Sequence, residues 1–139
     1  MSDIGPAGRA TVMVCITCRA ATDPSDAMGA ATQGAAAPGA ALAKATADAA
    51  LGASDILVQR IRCLGNCSRG LSAAIRCDNS WTYIFGGLRP AQDGPSLILG
   101  ARLLAQAADG IMPWRDRPES LKRGLIARVP PRDFREELP

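Results

Sequence analysis

Residues 55–70 read DILVQRIRCLGNCSRG. Ile56 to Ile61 form a mostly apolar run with β-branched members, the pattern of a strand, and that strand delivers Cys63 at its end. Cys67 follows four residues later, across Gly65. Glycine lets the backbone bend sharply there and turn its amide N–H groups toward the sulfurs, and Asn66 can add turn-forming hydrogen bonds. The stretch ATVMVCIT, residues 10–17, repeats the theme: a β-branched strand ending at Cys15, with Cys18 just beyond it. If these two strands are parallel neighbours, the loops after them lie side by side and four thiols converge.

The remaining pattern sets the fold class. GAALAKATADAALG, residues 39–52, places Leu42, Ala45, Ala49 and Leu51 at helical spacing, with Gly52 as a stop. LSAAIRCD (71–78) and WTYIFGGL (81–88) read as strands joined by a hairpin across Asp78, Asn79 and Ser80. PSLILGARLLAQAADG (95–110) is a second helix, with Ser96 as N-cap, Leu97, Gly100, Ala101 and Leu104 on one stripe, and Gly110 as the stop. Strand, helix, strand, hairpin and helix in that order predict an α/β domain in the outline of thioredoxin. Its mixed sheet should have about four strands, with helices packed on it.

One domain is expected over residues 1–139, with an Ala/Gly/Pro-rich flexible loop at 20–39 and a C-terminal extension at 112–139. In that extension Asp116 and Glu119 stand at capping-box spacing before a short helical turn, and Trp114 is expected to anchor it on the body. Hydrophobic residues make up 47% of the chain and aromatics only 4%, so the core should be alanine-rich and thin. A net charge of +3, without interleaved aromatics, gives no reason to expect nucleic acid. No run of about 18 apolar residues offers a membrane span. A cytoplasmic protein is expected.

In a reducing cytoplasm, paired cysteines point to metal ligands or redox chemistry rather than structural disulfides. The chain has five cysteines and no histidine, so imidazole ligands and His-based catalytic triads are excluded. No phosphate-binding or dinucleotide fingerprint is present. Sulfur-only sites suit zinc or an iron–sulfur cluster, and spacing alone separates the two poorly. Charge favours the cluster: a 2Fe–2S centre on four thiolates carries two net negative charges when oxidised and three when reduced. Between Ile56 and Cys77 stand Arg60, Arg62, Arg69 and Arg76 and no acidic residue. A metal-free dithiol at Cys15 and Cys18 is a third reading, because C-x-x-C is the thioredoxin spacing, although here about twenty loop residues separate it from the next helix.

RCLGNCSRG after a strand resembles the second cysteine pair of thioredoxin-like 2Fe–2S ferredoxins and of the related small subunit of respiratory complex I. Together, VCITCR, RCLGNCSRG, WTYIFGGL and GIMPWRDRPESLKRGLIARVPP resemble a bacterial family of predicted metal-binding proteins of unknown function. Its members are often encoded near cobalamin-biosynthesis and metal-chaperone genes. The resemblance implies a metal site at Cys15, Cys18, Cys63 and Cys67 that holds a 2Fe–2S cluster, with zinc as the alternative. The first pair departs from the ferredoxin pattern, where more residues separate the two ligands. An electron carrier rather than an enzyme is implied. If Arg60, Arg62, Arg69 and Arg76 ring the cluster, its redox partner should present an acidic surface. A homodimer is a further candidate assembly. The other functional class is a zinc- or cobalt-binding carrier or sensor without redox turnover.

Cys77 is expected to stand apart. Its strand should carry it about 20 Å from the Cys67 end, at a core-facing position in phase with Ala73 and Ile75. The competing reading is that the chain doubles back and Cys77 takes the place of Cys18. Trp81, Tyr83 and Phe85 alternate along one strand and should face the core. The arginines of the extension are expected on a solvated surface.

Overall fold

A central strand with a parallel neighbour on one side and an antiparallel neighbour on the other organises the sheet. The computed structural model describes residues 9–17 and 38–136. β1, Ala10–Cys15, pairs in parallel with β2, Ile56–Ile61, and antiparallel with β3, Ala73–Cys77. β4, Thr82–Phe85, pairs antiparallel with β3, and β5, Leu125–Val129, closes the order β2-β1-β3-β4-β5. The parallel pair needs a crossover, and α1, Pro38–Ala49, lies in it. α2, Asp93–Ala105, follows β4, and the single-turn α3, Glu119–Arg123, leads into β5.

α1 and α2 pack against each other and against β1. They therefore cover one face of the sheet, the face of Val12, Val14, Ile75, Tyr83 and Phe85, all at most 1% exposed. Leu42, Leu97 and Leu104 fill it from the helices. The stripe expected on the second helix is buried throughout: Leu97, Gly100, Ala101 and Leu104. Tyr83 and Phe85 stack with centroids 6.3 Å apart, and the Tyr83 hydroxyl accepts the Met112 N–H at 2.9 Å. Trp81 is only half-buried, beside Phe134.

Several expectations need correction. The sheet has five strands rather than about four. The fifth, LIARV, is an edge strand with alternation too weak to recognise and two prolines directly after it, so only its pairing with β4 reveals it. Leu51 lies beyond the end of α1 and is exposed. Ser96 is not an N-cap; it sits inside α2, where its hydroxyl faces the Gln92 carbonyl. The capping box is absent, because α3 starts after Pro118 and Glu119 pairs instead with Arg123 at 3.2 Å. Trp114 is exposed; Met112, Arg117 and Leu121 are the buried anchors of this segment. Asn79 adopts the left-handed backbone (φ 62°) that the hairpin requires. Cys18 and residues 20–37 of the expected loop lie outside the described residues.

Candidate metal centre

The register decides where the thiols go. Cys15 stands opposite Ile61 in the parallel pair, so β1 and β2 end at the same edge and Cys63 emerges beside Cys15. The Cys15 thiol, 1% exposed, donates to the Arg62 carbonyl at 3.5 Å, and the Thr17 hydroxyl donates to the same oxygen. Cys63 and Cys67 are exposed, with sulfurs 4.0 Å apart. Two sulfurs bound to one tetrahedral ion at about 2.3 Å each would lie about 3.8 Å apart. The pair therefore already has chelating separation.

The turn between them is held from several sides. Gly65 takes φ +75°, and its N–H donates to the Cys63 sulfur at 3.2 Å. Arg69 N–H donates to the Asn66 carbonyl at 3.0 Å, and the Asn66 side-chain amide donates to the Ser72 hydroxyl at 2.9 Å. From below, Gly87 N–H donates to the Arg69 carbonyl at 2.8 Å. Gly86 has no room for a side chain: a Cβ there would overlap the Arg69 carbonyl oxygen and lie 2.9 Å from Asn66 Nδ2. The glycine pair after β4 is thus a floor for the cysteine turn, a role that the motif FGGL did not disclose.

Electrostatics at the pair favour a cation. Its hydrogen bond to Cys63, then the charge on Cys63, push the Cys67 thiol up, with burial and the charge on Cys15 adding in the same direction. Two sulfurs this close resist ionising together, and a metal ion removes that resistance. The donors are all sulfur, the chemistry of zinc or iron–sulfur binding. Among the described residues no three Cys, Asp or Glu side chains come together in a metal-binding group. Cys15, Cys63 and Cys67 share one end of the sheet, and Cys18 lies outside the described residues.

Cys77 is at the other end. It stands opposite Ala10, five residues along β1 from Cys15 and roughly 17 Å away at strand rise, and its thiol donates to the Arg9 carbonyl at 2.9 Å. Arg76, expected among the arginines around the cysteines, stands opposite Thr11 near that same far end. Antiparallel pairing takes it there, although only nine residues separate it from Cys67. Arg62 and Arg69 remain with the cysteines, exposed. Two arginines that no local pattern singled out join them instead. Arg89 and Arg123 line a groove of about 780 Å³ with Ser68, Arg69 and Gly87. Arg89 is held by the fully buried Asp93 at 3.1 Å, and its backbone N–H also reaches that carboxylate at 2.6 Å. Burial alone would push the Asp93 carboxyl up; the bonds from Arg89 outweigh it and hold the pKa below the usual value.

Residues 12–131 match the model of a protein family of unknown function, DUF1636. The chain belongs to that family. No curated protein matches it. Among solved structures it is similar to a thioredoxin-like 2Fe–2S ferredoxin from Aquifex aeolicus, at 17% identity and a TM-score of 0.52, covering 91% of this chain and 98% of the other. A 1.5 Å crystal structure of the wild-type thioredoxin-like 2Fe–2S ferredoxin from Aquifex aeolicus aligns at 14% identity and a TM-score of 0.50, over 86% and 97%. At these identities the likeness establishes the fold alone: the chain has the thioredoxin-like ferredoxin architecture. Among the described residues, no helix is long and apolar enough to cross a membrane.

Proposed function

We propose that the chain binds a 2Fe–2S cluster through Cys15, Cys18, Cys63 and Cys67 and passes single electrons to a partner protein. The observation that carries this reading is the Cys63–Cys67 pair, 4.0 Å apart beside Cys15, on the fold of a 2Fe–2S ferredoxin. When bound, the cluster supplies one-electron redox chemistry. The chain's own residues do the rest. Gly65 N–H stabilises charge on the Cys63 sulfur, Asn66 ties the turn to Ser72, and Gly86 leaves the turn its space. Arg62 and Arg69 put positive charge beside an anionic centre, in a stretch from Ile56 to Cys77 without an acidic residue. The proposed setting is the cytoplasm, and the partner's setting corrinoid or metal metabolism, after the company kept by the family that the motifs resemble.

Anaerobic purification tests this directly. A red-brown protein with about two irons and two sulfides per chain is expected. A colourless protein holding stoichiometric zinc would overturn the reading in favour of a metal carrier or sensor, because the same sulfur separation suits tetrahedral zinc. The proposed docking surface has its own test. An acidic partner should associate more slowly as salt rises, and Arg62→Gln with Arg69→Gln should flatten that dependence while Arg76→Gln leaves it intact. An association rate indifferent to salt would remove the electrostatic docking surface.

A further inference from the structure

Away from the Cys63–Cys67 turn, a second cavity of about 690 Å³ opens between the 107–117 segment, β4 and β5. Its size suits a small ligand. Tyr83, Ile111, Met112 and Trp114 give it apolar walls, and two guanidinium groups line it, from Arg117 and Arg128.

Arg117 is the unusual one. It is 7% exposed, and among the described residues no carboxylate pairs with it or with Arg128. Its Nε donates to the Pro113 carbonyl at 3.3 Å and an Nη to the Met112 carbonyl at 2.6 Å. These acceptors are neutral and use two of the five N–H donors. A buried charge is ordinarily paired. Here burial lowers the pKa of Arg117; Tyr83 acts against that and Arg128 with it.

Both groups lie over aromatic rings rather than against anions. Arg117 lies 5.4 Å from the Tyr83 ring centroid and 5.0 Å from that of Trp114, and Arg128 lies 4.1 Å from that of Trp81. Stacking leaves the edges of a planar guanidinium free to bind an oxyanion. The one acidic lining residue, Asp109, has an oxygen engaged by the Ile111 N–H at 3.1 Å. Trp114, 58% exposed, has Lys122 as well as Arg117 over its ring, at 5.3 and 5.0 Å, which sets a third cation beside the cavity.

We propose that this cavity binds a small organic anion, a carboxylate or phosphate ester on a flat apolar body, with Arg117 and Arg128 holding the charge and the apolar walls around Ile111 and Pro113 the body. The site lies beside β4 and β5, across the sheet from β2, whose end carries Cys63.

Calorimetric titration of the full chain with benzoate, phenyl phosphate and the neutral isostere benzamide tests it. Saturable binding of benzoate or phenyl phosphate, with benzamide at least about tenfold weaker, is expected, and the tighter anion identifies the headgroup. Arg117→Gln can disturb the 112–117 segment, so the deciding variant is Arg128→Gln, at an exposed position on an edge strand. It should weaken the anion about tenfold with an unchanged circular dichroism spectrum, and Arg128→Lys should restore part of the loss. Binding should persist in Cys63→Ser. No saturable response to either anion, equal binding of benzamide, or full affinity in Arg128→Gln would each overturn the proposal.

Discussion

Beyond the ends of β1 and β2 Cys63 and Cys67 are exposed side chains on a backbone fixed by its neighbours; beside β4 and β5 Arg117 is a buried side chain that fixes its own segment through two carbonyls. The cysteine turn owes its shape to Gly65, Asn66 and the glycine floor at Gly86 and Gly87, so its sulfurs are free to bind something else. The arginine end spends its charge partly on the chain itself. Each region should therefore fail in its own way: the first through its ligands and floor, the second through loss of packing before loss of chemistry.

The largest expected effect is at the cysteines. Cys15→Ser, Cys18→Ser, Cys63→Ser or Cys67→Ser, reconstituted anaerobically, should each lose or strongly alter the bound metal, read by absorbance and iron content. Cys77→Ser, at the far end, should keep it. Loss in Cys77→Ser alone, with Cys18→Ser intact, would reassign the fourth ligand.

Next comes the floor. Gly86→Ala forces a Cβ against the Arg69 carbonyl and Asn66, and should destabilise the protein by about 2–3 kcal/mol in urea unfolding while lowering metal content. A variant of wild-type stability and full metal content would mean that the turn does not depend on this floor.

Asp93 braces the same end from α2. Asp93→Ala should cost about 2 kcal/mol at pH 7, because a buried carboxylate bonded to Arg89 is lost and three donors are left behind. The folded-state pKa is held down, so this stabilisation is present above the unfolded value of about 3.9 and fades as pH falls through the folded value. The gap between variant and wild type should therefore narrow toward pH 3; a gap that widens there would contradict the sign.

The smallest effect should come from Lys44→Ala. Its exposed pair with Asp48 on α1, 3.0 Å long, touches neither end. A loss under about 0.5 kcal/mol is expected, and a larger one would show that α1 is more marginal than its packing suggests.

Much of this was legible in the chain because the signals are local. A β-branched run makes β1 or β2 from its own residues, Gly65 makes its turn where no side chain opposes it, and Asn79 makes the hairpin. The convergence of Cys15 with Cys63 followed from one topological rule, parallel strands ending at one edge. The tertiary structure alone decided the rest. It sent Arg76 to the far end, made LIARV the fifth strand, brought Arg89 and Arg123 beside the cysteine turn, and buried Arg117 between Tyr83 and Trp114. The reason is one of range. Turn chemistry and strand propensity act over a few residues, whereas the burial of a charge or the pairing of an edge strand depends on partners tens of residues away.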